Sequence, residues 1–190
     1  AHVLPVFNGI IDKVTVLGMG EARYFNLFSW AESEYRGRVA ARFTMDHALA
    51  HQIYAGADMF LMPSQFEPCG LSQMISQMIA LRYGSVPIVR ETGGLRDTVL
   101  SYNEYTGEGN GFTFFNYNAH DMLHVIERAI DYYQNRKNVW NVLQKRGMEG
   151  DYSWTHSAAD YVNLYESLFR PASEKEEEPR EEDNPVVVRF

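Results

Sequence analysis

Cysteine is almost missing from this chain: Cys69 stands alone among 190 residues. That excludes an internal disulfide framework and fits a reducing compartment. No apolar run approaches the roughly 20 residues that span a bilayer, so no membrane partner is expected. The opening residues, AHVLPVFNGI, lack the basic start and small-residue cleavage site of a secretory signal, and the expected setting is cytoplasmic. The scattered histidines and the single cysteine give no metal-ligand spacing, so no metal site is expected. Basic residues are also short, 17 Lys and Arg against 25 Asp and Glu, for a net charge of −8. A general nucleic-acid binder would have the opposite balance.

What is present suffices for one substantial core: 45% of residues are hydrophobic and 14% aromatic. Much of the charge is local. Between Pro171 and Pro185, seven acidic residues face only Lys175 and Arg180, with almost no apolar side chains among them. Such a stretch cannot offset its ordering entropy, so residues 171–190 are expected to be a disordered acidic tail and residues 1–170 the folded domain.

Within that domain two kinds of segment alternate. Val14–Leu17, Val39–Phe43, Asp58–Met62, Val86–Val89 and Gly111–Phe115 are short, β-rich runs that read as strands. Helices are expected over Glu21–Tyr35, after Asp46 as N-cap, after the QFEPCG loop through the SQMI repeat, over Leu95–Leu100, and over Ala119–Asn135 behind an Asn118/Asp121 capping pair. Two further helices, near Val139–Met148 and Trp154–Phe169, close the folded part. This alternation predicts an α/β fold: a doubly wound, Rossmann-like parallel sheet with helices on both faces and extra C-terminal helices. Ligands of such sheets bind at the carboxyl ends of the strands, which directs attention to GMG, Thr44–Asp46, PSQFEPCGLS and ETGGL.

Gly18-Met19-Gly20 follows a strand, but Arg23 stands where a dinucleotide fingerprint has its third glycine. A tight strand-to-helix turn beside some ligand is the better reading. Glu67-Pro68-Cys69-Gly70-Leu71-Ser72 is more informative. Gly70 lets backbone approach a ligand, and the amides of Leu71, Ser72 and Gln73 are unpaired at a helix start, a setting that suits phosphate. Ser72 adds a hydroxyl, and Glu67 can accept hydrogen bonds from sugar hydroxyls. A solvated loop acid and a plain N-cap serine are the bland alternatives, equally compatible with spacing. Cys69 reads as a small loop-shaping side chain rather than a nucleophile, since no thiolate-stabilising partner is evident nearby in sequence. Directly after this loop the tetrapeptide SQMI occurs twice, at Ser72–Ile75 and Ser76–Ile79. Four residues add about 6 Å and 1.1 turns to a helix, and Leu71, Met74, Ile75, Met78 and Ile79 keep one apolar stripe. The repeat is therefore expected to be an inserted helical turn, not a second site, with the surplus length emerging at Arg82–Ser85.

Together, GADMFLMPSQFEPCGLSQM, ALRYGSVPIVRETGGLRDTV, GNGFTFFNYNAHDML and DYSWTHSAADYVNLYESL resemble the signature of bacterial glycogen synthases and plant starch synthases. The likeness runs from about Val14 to Leu168. It implies the C-terminal, donor-binding half of a GT-B fold, in which two Rossmann-like halves face a cleft. The implied reaction transfers glucose from ADP-glucose or UDP-glucose to the non-reducing end of an α-1,4-glucan, with retention and without metal or other cofactor. On this resemblance Glu67 is the catalytic acceptor for the glucose hydroxyls, within a loop completed by Pro68, Cys69, Gly70 and Leu71. Ser72 holds the distal phosphate, Thr92, Gly93 and Gly94 line the cleft, and Gly18 and Gly20 border the base. Met45 stands where the family places a base-stacking aromatic. A plant source would make a plastid the compartment.

The family's SRLxxQKG segment and its N-terminal, glucan-binding half have no counterpart in the sequence, so the chain alone is expected to turn over little substrate. Two other readings stay open: a non-catalytic module with weak or no nucleotide-sugar binding, and a different nucleotide-sugar transferase. Many relatives of the latter kind carry a second glutamate eight positions after the first, where this chain has Ile75.

Overall fold

A computed structural model describes residues 11–66, 71–151 and 153–169, with the backbone alone for residues 71–76, 154, 156 and 157. The chain runs β1 (Val14–Leu17), α1 (Ala22–Glu34), β2 (Val39–Arg42), α2 (His47–Gly56), β3 (Met59–Met62), α3 (Leu71–Arg82), β4 (Val86–Arg90), α4 (Gly93–Thr98), β5 (Phe112–Phe114), α5 (Ala119–Asn135), α6 (Lys137–Glu149) and α7 (Trp154–Phe169). It divides into two compact units, Ala1–Gly150 and Asp151–Phe190. Helix α7 is the described element of the second.

All described strand pairs are parallel, in two ladders: β1 with β2, and β3–β4–β5. The α/β class and its strand–helix alternation stand as the sequence predicts. Where a single sheet is expected, the described strands form two ladders.

The centre of the larger ladder is β4, VPIVR, buried through Val89. Its side chains alternate between faces, as a strand requires. Val86 and Ile88 join Phe112 and Phe114 in a cluster completed by Val125, Ile126 and Ile130 of α5 and by Trp140 and Leu143 of α6. Val89 points the other way, against Met62, Leu95 and Val99. Helices thus cover both faces, and a strand buried on both sides reads as a continuous apolar run. Pro87, in the middle of this strand, needs room. Gly111 provides it, because a Cβ there would lie 2.7 Å from both Pro87 Cγ and the Pro87 carbonyl oxygen.

Helix starts follow the expected chemistry. The Asp46 carboxylate accepts from Leu49 N at 2.9 Å, and the Asn118 side chain accepts from Asp121 N at 2.8 Å. Asp121 does not complete a reciprocal box with Asn118; its carboxylate accepts from the Asn116 side-chain amide at 2.7 Å. The Asn116 amide, then Asn118, hold the Asp121 carboxyl below its ordinary pKa. Helix α4 is displaced from expectation at both ends. Helix α4 begins at Gly93 rather than Leu95 and ends at Thr98, because Thr92 takes the extended N-cap conformation.

Helix α3 settles the repeat. It runs without a break from Leu71 to Arg82, through both SQMI copies. Its C-terminus closes tightly: Gly84 N donates to Leu81 O and Ser85 N to Ala80 O, with Gly84 at φ 84°. This pair of bonds around a left-handed glycine is a Schellman cap, and Val86 follows at once in β4. The expected slack at Arg82–Ser85 is therefore absent. The second copy is locked into the core: Gln77 is wholly buried, with its amide 3.0 Å from Thr98 Oγ1 of α4. Thr98 Oγ1 also lies 2.9 Å from Gly94 O. One hydroxyl hydrogen cannot serve both, and the Gln77 nitrogen is otherwise unpartnered. Turning the amide over resolves both problems, since the Gln77 nitrogen then donates to Thr98 Oγ1, which donates to Gly94 O.

Two substitutions check this packing. Gly111→Ala should lower the unfolding free energy in urea by about 2 kcal/mol, the range for overpacking. Gln77→Glu should destabilise more than Gln77→Met. The gap should widen as pH rises, because burial raises the pKa of the new carboxyl in the folded state while the unfolded chain ionises from about pH 4.3 upward.

Candidate functional site

Parallel pairing brings the carboxyl ends of β3, β4 and β5 to one edge of the larger ladder. The loop Pro63–Phe66 leaves β3 there, Glu91–Thr92 leads from β4 into α4, and Phe115–Asn118 leads from β5 into α5. Gly18–Gly20 and Phe43–Asp46 leave the smaller ladder in the same sense, at the carboxyl ends of β1 and β2. The described backbone of the sequence-predicted residues lies along these two rims.

Gly18 has φ 154°, a conformation open to glycine, and its N–H donates to Arg42 O at 3.1 Å. This bond ties the start of the β1 loop to the end of β2. Gly20 and Met45 are exposed, Met45 at 73% of its surface. Thr92 and Gly94 are half-buried and Gly93 is exposed. Gly93 opens α4 at φ 47°, again in the left-handed region, so a side chain there would be strained. Leu71 and Ser72 form the first turn of α3, whose backbone alone is described. Glu67, Pro68, Cys69 and Gly70 lie outside the described residues.

The rim contains groups that spacing did not single out. Arg90, the last residue of β4, donates through Nη1 to Gln65 O at 2.5 Å and through Nε to Phe115 O at 3.0 Å. Its guanidinium carbon stands 5.5 Å from the centre of the Tyr117 ring. Next to it, Glu91 N donates to Phe114 O, while Glu91 Oε1 accepts from Thr113 Oγ1 at 2.5 Å. One cation thus fastens three loop origins together. The signal in the sequence was a charged pair, Arg90-Glu91, ending an otherwise apolar strand at the functional edge. Gln77 was the other omission. Its signal was weaker, since a polar residue between two apolar helix positions usually faces solvent.

Among the described residues, no group of three or more His, Cys, Asp or Glu could hold a metal ion, and no helix is long and apolar enough to cross a membrane.

Comparison with known proteins gives a consistent picture. No family model matches the chain. It is 57% identical over 158 residues to a glycogen synthase of Geobacillus thermodenitrificans, covering 83% of this chain and 32% of that protein. It is 54% identical over 170 residues to a glycogen synthase of Bacillus cereus, covering 88% and 35%. Among solved structures it resembles the catalytic domain of starch synthase IV from Arabidopsis thaliana, bound to ADP and acarbose. That match has 35% identity and a TM-score of 0.75, and covers 87% of this chain and 34% of the other. A sucrose-phosphate synthase of Thermosynechococcus elongatus shares the fold at 22% identity and a TM-score of 0.57. The chain spans about a third of the length of the curated relatives it matches. Over those matched residues, this chain belongs to the glycogen synthase and starch synthase family.

Proposed function

We propose that the chain is the donor-binding half of a retaining glucosyltransferase that extends α-1,4-glucan, with ADP-glucose as the donor. The observation that carries this reading is that Pro63–Phe66, which precede EPCGLS in sequence, and the ETGGL segment both leave the carboxyl edge of the β3–β4–β5 ladder. That edge is where open α/β sheets bind nucleotides. The ADP in the starch synthase IV structure supports adenine over uracil.

In this proposal each residue has a separate task. Glu67 accepts hydrogen bonds from the glucose hydroxyls, and Pro68, Cys69, Gly70 and Leu71 form the rest of the sugar loop. Ser72 and the free amides at the start of the 12-residue α3 take the distal phosphate. The helix dipole favours negative charge at that end, so the site stabilises the diphosphate as it leaves. Thr92, Gly93 and Gly94 line the cleft, while Gly18, Gly20 and Met45 border the base. Neither a metal nor another cofactor takes part. The glucan acceptor is bound by a second, N-terminal half of the enzyme, so the chain alone turns over little substrate. The proposed compartment is the cytoplasm.

Calorimetric titration tests the core of this reading. The 190-residue chain should bind ADP, and should bind ADP-glucose more tightly than either ADP or UDP-glucose. Glu67→Gln should remove the preference for ADP-glucose over ADP and leave ADP binding unchanged. No heat from any of these ligands at millimolar concentration overturns the proposal. A preference for UDP-glucose would replace adenine by uracil in it.

A further inference from the structure

We propose that Arg90 is a positioning residue for the sugar loop: it sets the path of the chain that leads into Glu67 and so governs recognition of the donor's glucose rather than its nucleotide. This inference rests on the donor-site reading above.

The argument begins with what Arg90 touches. Among the described residues, both of its hydrogen bonds run to backbone carbonyls, at Gln65 and Phe115. Carbonyls carry no chemistry in the proposed reaction, and holding them fixes only where the chain goes. Gln65 lies two residues before Glu67 in sequence, whereas Phe115 directly follows β5. Arg90 itself ends β4, the most deeply buried strand of the ladder, with Val89 beside it wholly inaccessible. A guanidinium anchored on that strand carries the rigidity of the core out to a loop that has little packing of its own. Phe66, the last described residue of that loop, is 75% exposed. Charge-assisted bonds of this kind are about twice as strong as neutral ones, and the planar fork can hold two carbonyls on different loops at once. The Tyr117 ring lies within cation–π distance of the same group and limits its freedom. A lysine at position 90 would keep the charge but could not reproduce the two-armed geometry.

The consequence is selective. Loosening Gln65 should relax the segment that reads glucose and leave the nucleotide-binding parts of the rim, near Gly18–Gly20, untouched.

The experiment measures ADP and ADP-glucose binding calorimetrically, with thermal melts, for the full chain and for Arg90→Gln, Arg90→Lys and Glu67→Gln. Arg90→Gln should bind ADP within about twofold of the parent and ADP-glucose about tenfold more weakly, the loss expected for a charged hydrogen bond. Arg90→Lys should recover part of the preference. An equal loss for both ligands would overturn the inference, because it would mark Arg90 as a phosphate contact or a mere fold anchor. An unchanged preference beside a lowered melting temperature would overturn it too. If Arg90→Gln does not fold, Arg90→Lys decides, and full retention of the preference in that variant refutes the role. A parent chain with no preference for ADP-glucose, or one whose preference survives Glu67→Gln, refutes the donor reading itself. Loss of preference in Glu67→Gln but not in the Arg90 variants refutes only the positioning role.

Discussion

Burial of β4 is the constraint on which the rest of the first unit depends. Val86 and Ile88 face one helical layer and Val89 faces another, so the strand cannot shift by one residue without turning each apolar side chain to the wrong face. Both neighbouring strands take their register from it, Met59 opposite Val86 and Phe112 opposite Ile88. Position 87 is restrictive in another way, since a proline in a central strand removes a ladder donor. The close approach of Gly111 lets β5 come alongside despite the ring. With the register fixed, the last residue of β4 has a fixed place as well. Arg90 can therefore serve as a reference point for loops that have little packing of their own.

The duplicated SQMI shows the same logic from the helix side. A four-residue insertion in a helix nearly preserves its face, so the apolar stripe alone permits either copy to be the packed one. Two contacts fix the second copy. The Schellman cap at Gly84 leaves no spare residue before β4, and Gln77 engages Thr98 from a fully buried position. Counting back from the cap, Gln77 of the second copy takes a core-facing place in the helix. Through Thr98 and Gly94, Gln77 also links α3 to the helix that opens with ETGG. The two proposed donor segments are thus joined beneath the rim by one buried amide and above it by one guanidinium.

Much of this was legible in the sequence, for identifiable reasons. Strands β1 to β5 were marked by short β-branched or aromatic runs between turn residues, and α5 by Asn118, whose cap is present as expected. The rim could be located because parallel strands leave their carboxyl ends together. Local pattern could not reveal features set by distant partners. The start of α4 at Gly93 depends on the extended conformation of Thr92, and the absence of slack after α3 depends on the left-handed Gly84. The split into two ladders depends on long-range strand pairing, which no local propensity encodes. Arg90 was missed for a related reason. An arginine at a strand end usually faces water, and only the tertiary structure brings the carbonyls of Gln65 and Phe115 within its reach.

The smaller ladder bears on nucleotide affinity. Met19 and Met45, beyond the ends of β1 and β2, are 64% and 73% exposed. A thioether side chain adapts to a flat ring through dispersion, but it lacks the π-face on which a base stacks. Stacking on an aromatic contributes about 1–3 kcal/mol per base, or roughly five- to 150-fold in affinity. In the proposed site that contribution is weakened where Met45 replaces the family's aromatic, and the sugar and phosphate contacts must supply more of the binding. Such a chain should therefore discriminate between donors more through the glucose than through the base. That shifts the weight of recognition onto the loop leading into Glu67, and onto the arginine that holds its carbonyl.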